Sequence, residues 1–425
     1  MITMNFPLDA VREFFPSLAV KDGGNRRIYL DNPAGTQVPK SVADAIHDAI
    51  LFRNANLGGM FASSVAAGEV WQASHTAMAE LLGAAGPEEI IIGPNMTSLT
   101  YHLSRTIGRN WGPGDEVIVT RMDHEGNVGP WMQIAADKGA NVKYLAFSTQ
   151  SWQVEADDLK AMLTSKTRLL ALSYASNLTG SINRVKELAA IARAAGVLVF
   201  VDAVQFTPHR LVDVAALDCD FLACSAYKFF GPHLGIVWGR RAILDKLVPY
   251  KLRCSGDDLP GRFETGTPQI EVLAGLSATV DYFAGLGKTT GATGTQRQLI
   301  AAAYEASIAH ENPLALQLVK GIQAIDGTTI HGITDPRRLD ERVPTVSFTI
   351  AGITPKSLVK LCNDENLFFW SGHNYAWEVV HQLGIPASEG VVRVGIAHYN
   401  SAAEIDAAIE SISRNIAMLR QHRAN

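Results

Sequence analysis

Between residues 90 and 240 the chain repeats one pattern: a short apolar, largely β-branched run without polar alternation, then a stretch with apolar positions at helical spacing. Uninterrupted apolar runs belong to strands buried on both faces, and crossover helices supply the cover. The pattern predicts strands at 116–121, 142–146, 168–173, 197–202, 220–225 and 235–238. It places helices at 97–110 and 184–195, the second stopped by Gly196 as a helix end requires. The expected architecture is α/β with a mostly parallel sheet.

Around 285–294 (GLGKTTGATG) Gly and Thr cluster between two helical patterns and read as a connection. The chain beyond it differs in kind: strand-like TVSFTI at 345–350, a helix opened by Thr354 and Pro355, strand-like VVRVGI at 391–396 and a last helix from Ala402. The expected division is a large unit with its N-terminal segment over 1–289 and a smaller α+β unit over 290–425.

Composition narrows the class. With 47% hydrophobic and 19% charged residues in a chain of 425, an ordinary folded protein with a sizeable core is expected. A net charge of -5 offers no broad attraction to nucleic acid or anionic lipid, so neither is an expected partner. Cys219, Cys224, Cys254 and Cys362 show no CxxC spacing, which argues against a disulfide framework or a zinc site and fits a reducing cytoplasm. The opening MITMNFPLDAVREFFPSL lacks a basic-then-apolar leader pattern, and no apolar run reaches the ~20 residues of a bilayer span.

Several motif look-alikes fail. Gly287, Lys288 and Thr289 imitate the end of a P-loop, but the required earlier glycine is Tyr282 and the approach is helical rather than a strand. No GxGxxG opens the first strand-to-helix turn, and HExxH and GxSxG do not occur. A better constellation spans VLVFVDAVQFTPHRLVDVAALDCDFLACSAYKFFGPHLG. Asp202 closes one predicted strand and Lys228 comes after another, so both fall at the C-terminal edge of the sheet, where open α/β sheets bind ligands. A desolvated lysine is a Schiff-base nucleophile, and a carboxylate can keep a pyridinium nitrogen protonated, the pair of groups that pyridoxal phosphate needs. Taken singly, an aspartate cap and a solvated lysine are the commoner explanations; their joint placement favours the site. Thr97 and Ser98, in GPNMTSLTY after an apolar run and before a helix, offer hydroxyls and helix N-terminal amides to a phosphate.

With these residues in place, the chain resembles the class V aminotransferase family of pyridoxal-phosphate enzymes of fold type I, in its cysteine desulfurase-like branch. The resemblance runs from about Ile28 to Asn400 and rests on IYLDNPAGTQ, MDHEGNVGPW, YASNLTGSIN, VDAVQ, LDCDFLACSAYKFFGPHLGI, RFETGTPQ and RVGIAHYN. It implies pyridoxal 5'-phosphate as cofactor, a small amino acid as substrate and a homodimer with shared active sites. Lys228 would be the Schiff-base lysine, Asp202 the partner of the ring nitrogen, Gln205 a donor to the phenolic oxygen, and His124 the ring-stacking residue. Thr97 and Ser225 would contact the phosphate, Thr267 the phosphate of the neighbouring subunit, Asn177 the phenolic oxygen and substrate, and Arg393 the substrate carboxylate. Arg393 also stands out without the resemblance, because its neighbours Val391, Val392, Val394 and Ile396 are apolar and a charge among them needs a partner.

The family pattern breaks at WSGHNYA, 370–376, where desulfurases of this branch carry a catalytic cysteine: Tyr375 takes the cysteine's place and Trp370 that of an arginine. Tyr227 precedes Lys228 where a histidine is usual. A phenol cannot carry sulfur as a persulfide. The function expected is therefore carbon-sulfur β-elimination on an amino acid. Transamination or epimerisation on the same residues is the alternative within the fold, and a non-catalytic binding protein is the alternative outside enzymes.

Overall fold

The computed structural model describes residues 6–424, so the first five residues of the opening segment lie outside the described residues. Its main sheet has seven strands: β1 (Ile90–Gly93), β2 (Glu116–Thr120), β3 (Asn141–Leu145), β4 (Thr167–Ser173), β5 (Leu198–Asp202), β6 (Phe221–Ser225) and β7 (Gly235–Gly239). The spatial order is β1-β7-β6-β5-β4-β2-β3, with β7 antiparallel to both neighbours and the other pairs parallel. Each expected strand is present, within a residue or so of its expected ends.

The apolar runs divide between two cores. Leu170, Leu172, Val199 and Val201 enter one, while Leu169, Ala171 and Phe200 enter the other, as the period-two alternation of a doubly covered sheet requires. Register brings Ser173 opposite Asp202, and Asp202 opposite Ala223, so the C-terminal ends of β4, β5 and β6 form one ledge. Gly235, opening β7, lets another element reach that ledge: a Cβ there would lie 2.2 Å from the Met96 amide nitrogen. The start of helix α1 (Met96–Ile107) therefore sits against the sheet edge.

A second sheet contains β8 (Thr328–Ile330), β9 (Thr345–Ile350), β10 (Trp370–Gly372) and β11 (Val391–Gly395), in the order β8-β9-β11-β10, all antiparallel. Its core joins Val346, Phe348, Val392 and Val394 to Ile405, Ile412 and Ile416 of the last helix, Ala402–Ala424. Residues from the N-terminal segment also belong here. Ile28–Tyr29 pairs in parallel with Leu367–Phe368, and Leu30 is buried in this second core.

The connection expected at 285–294 is helical through its first half, because helix Ile270–Thr289 runs on to Thr289 before the chain turns into helix Gln296–Gln323. Gly287 serves close packing there: a Cβ would lie 2.0 Å from the Leu299 carbonyl oxygen of the next helix. Among the described residues no helix is long and apolar enough to cross a membrane.

Candidate active site

The ledge opens into a cavity of about 410 Å³, within the range typical of small-molecule sites. Asp202 arrives from the end of β5, Ser225 from β6, and Lys228 from the turn Ala226–Lys228 directly after β6. His124 and Asn177 come from the segments after β2 and β4, Gln205 from the segment after β5, and Thr97 from the first turn of α1. These seven of the ten expected residues line this one cavity.

Lys228 is buried, and its Nζ donates to the Pro33 carbonyl oxygen at 2.6 Å. Burial first, then the Arg393 guanidinium, pulls its ammonium down to about 8, against the opposing pull of Asp202 and Asp31. Asp202 is pushed up to about 6 by burial, although the Val204 amide, donating to Oδ1 at 2.9 Å, and Lys228 both favour its charged form. Burial works on the two side chains in opposite directions and brings their titration ranges closer together.

His124 Nδ1 accepts from the Gly126 amide at 2.9 Å. Burial, followed by Lys228 and Arg393, lowers its pKa to about 3, so the ring is neutral and Nε2 carries its proton. The Tyr375 ring stacks over it with centroids 5.4 Å apart. On the helix side, Asn95 caps α1 by accepting from the Ser98 amide at 2.8 Å. The amides of Met96 and Thr97, in the first turn, lack intrahelical acceptors and carry the positive end of the helix dipole, a suitable seat for a phosphate.

At the site, three of the described residues have a buried side-chain polar atom without a hydrogen-bond partner: Gln205 Oε1, Asn177 Oδ1 and Arg393 Nε. Asn177 Nδ2 is committed to the Asn374 carbonyl oxygen at 2.7 Å, so this side chain offers the cavity an acceptor. Gln205 Nε2 meets Thr345 Oγ1 at 3.3 Å; since that hydroxyl can also donate, a 180° turn of the amide keeps the contact and frees Nε2 for a phenolic oxygen. Orphaned polar atoms in a cavity that also holds a lysine, a carboxylate, a flat neutral imidazole and a helix N-terminus fit pyridoxal phosphate.

A larger cavity, of about 1000 Å³, shares Thr97, His124, Asn177 and Lys228 with the first and adds Arg393. Arg393 is buried on β11; Nη1 donates to the Asn177 carbonyl oxygen and Nη2 pairs with Asp31, each at 3.2 Å. Its Nε is buried without a partner, an unspent donor on a guanidinium that lines the cavity. The loop at 370–376 forms part of the wall, with Trp370 and Tyr375 exposed at its rim. Cys219, Cys224 and Cys362 are buried and Cys254 is exposed; none of them lines either cavity.

Two expected phosphate ligands lie elsewhere. Ser98 and the exposed Thr267 line a separate cavity of about 420 Å³, alongside Glu264 and Arg105, and not the cavity of Lys228. The structure also adds residues that sequence reasoning misses. Asn95, an N-cap by type and position, is readable in principle. Asp31 sits inside a quoted motif without a local signal. His233, stacked on Tyr227 with centroids 4.9 Å apart, is visible only in three dimensions.

Comparison with known proteins agrees with this geometry. The profile of the family described as Aminotransferase class-V matches residues 28–408. An aminotransferase-like protein of Gibberella zeae is 30% identical over 421 residues, covering 97% of this chain and 99% of that protein. A probable cysteine desulfurase of Halalkalibacterium halodurans is 28% identical, over 95% and 97% of the two chains. The apo cysteine desulfurase of Thermococcus onnurineus NA1 superimposes with a TM-score of 0.84 at 26% identity, over 97% of this chain and 99% of that one. The chain thus belongs to the class-V aminotransferase family and is a pyridoxal-phosphate-dependent enzyme.

Proposed function

We propose that this enzyme cleaves the Cβ–S bond of a cysteine thioether or a similar β-substituted amino acid, taking up water and releasing a thiol, pyruvate and ammonia. The observation that carries the reading is a carboxylate clamp, Arg393, in a large cavity that no cysteine lines. Sulfur transfer to the protein needs a thiolate at the substrate, whereas elimination needs a base, a clamp and room for the leaving group.

When bound, pyridoxal phosphate supplies the electron sink that makes an amino acid's Cα–H bond acidic. Asp202, Gln205, His124, Asn177, Thr97 and Ser225 would hold it, with Lys228 as its covalent anchor. The Lys228 amine, held by burial below its ordinary range, accepts the α-proton at Nζ. Arg393 orients the substrate through its carboxylate, and Asn177 fixes that guanidinium from the large sheet through its carbonyl oxygen. His124, neutral and capped on its outer face by Tyr375, shields the reacting face from water. In a homodimer, Thr267 would complete the neighbouring phosphate site across the subunit boundary. The large unit over 1–289 carries the cofactor residues and the unit over 290–425 carries the clamp. Free cysteines suit a reducing cytoplasm.

The test is product analysis: reconstituted enzyme is mixed with cysteine and a panel of cysteine thioethers, and pyruvate is resolved from alanine. Pyruvate and thiol in equal amounts support elimination. Alanine from cysteine would redirect the reading to sulfur transfer, and absence of pyruvate from every substrate would overturn it.

A further inference from the structure

One charge in the large cavity has no part in the elimination chemistry. Glu125 opens the short turn Glu125–Asn127 directly after His124, is half-buried, and lines the cavity that contains Lys228 and Arg393. Its backbone amide donates to the Tyr375 carbonyl oxygen at 2.7 Å, which ties the turn to the 370–376 loop. Its carboxylate has no hydrogen-bond or ion-pair partner among the described residues. Arg121 is committed to Glu378, and Glu378 in turn repels Glu125. Burial and that repulsion together hold the Glu125 carboxyl above its ordinary range.

An unpaired carboxylate in a partly desolvated wall is unfavourable until a cation meets it. The cavity also presents the rings of Tyr101 and Tyr375, whose faces attract cations. Arg393 in the same cavity is suited to the opposite charge. The geometry therefore describes a ligand with a carboxylate at one end and a positive nitrogen at the other, separated by a side chain.

We propose that Glu125 is a specificity-determining residue that selects β-substituted amino acids whose substituent ends in a cationic nitrogen. The leaving group would then be an aminoalkyl thiol or a close relative. This deepens the elimination reading and rests on it for the identity of the leaving group; the charge preference stands on the cavity alone.

The experiment separates the two. Holoenzyme is titrated by calorimetry with L-lysine and L-norleucine, which share a four-carbon side chain, differ in the terminal ammonium and lack a β leaving group. We expect lysine to bind about tenfold more tightly, the effect of one charge-assisted contact. Glu125→Gln should bring the lysine-to-norleucine ratio close to one, while Glu125→Asp retains part of it, an outcome that a purely structural role would not give. Kinetics then compare S-(2-aminoethyl)cysteine with S-propylcysteine, expecting the same order in kcat/KM for pyruvate release. A wild-type binding ratio within twofold of one, no binding of either amino acid, or a ratio untouched by Glu125→Gln overturns the proposal. Lysine preference without pyruvate from any thioether overturns elimination and leaves the role of Glu125 standing.

Discussion

Replacing the central lysine should stabilise the cofactor-free protein. Lys228 is buried, and its ammonium titrates at about 8 in the fold against 10.5 for the free side chain. At about 1.4 kcal/mol per pH unit, keeping that amine charged in the folded state costs roughly 3 kcal/mol near pH 7. Lys228→Met keeps the length and removes the charge. It also takes the donor from the Pro33 carbonyl oxygen, a loss of about 1 kcal/mol, and deprives Asp202 of an attractive neighbour. The net expectation is a gain of about 1–2 kcal/mol at pH 7, a rise in Tm of only about 1–2 °C in a chain of 425 residues. The sign carries a pH signature. Between pH 8 and 10.5 the unfolded lysine holds a proton that the folded one has released, so wild-type stability climbs through this window relative to the variant, and the gap between them closes. Urea denaturation of both cofactor-free proteins at pH 7 and pH 10 measures it. A variant that is less stable than wild type at pH 7, or a gap that stays constant with pH, refutes the reasoning.

Other outcomes depend on single contacts. Lys228→Ala should abolish covalent retention of the cofactor, so that borohydride reduction and then mass spectrometry find no pyridoxyl adduct on the protein. Arg393→Lys keeps the charge but loses the forked donor set; kcat/KM for pyruvate release should fall about 10–100-fold, mainly through KM, with the cofactor's visible band retained. Gly180 has φ +72°, and a Cβ there would lie 2.5 Å from the Thr345 carbonyl oxygen. Gly180→Ala should cost about 2–3 kcal/mol in urea denaturation, because both the left-handed backbone and the close approach penalise a side chain.

Local pattern is enough for the sheet. The parallel strands are apolar on both faces, so their runs stand out without any partner information, and the ends of β5 and β6 locate Asp202 and Lys228 on one edge. Pairing over long sequence distances is not readable. The charge at Arg393 signals a need for a partner, but its answer lies 362 residues away at Asp31 and 216 away at the Asn177 carbonyl oxygen. The cluster of Gly and Thr at 285–294 looks like punctuation, whereas Gly287 is there for the backbone of Leu299, a neighbour that only the packed helices reveal. Ser98 has the composition of a phosphate ligand, yet the Asn95 cap takes its amide and the helix turn directs it to a separate cavity from Thr97. Glu125 gives no signal in the sequence, because an acidic turn residue is ordinary until the wall around it is known.

The pairing of Arg393 with Asp31 also bears on how this protein can be recombined. A chimera that grafts the C-terminal unit of one relative onto the remainder of another transfers the guanidinium but leaves behind its carboxylate, and with it Leu30 and the Ile28–Tyr29 strand that complete the grafted core. Modules defined by three-dimensional contact rather than by chain order do not follow a single cut here: residues 28–31 travel with the second unit, while Val11, Phe15 and Leu18, which precede them, stay with the core of the large sheet.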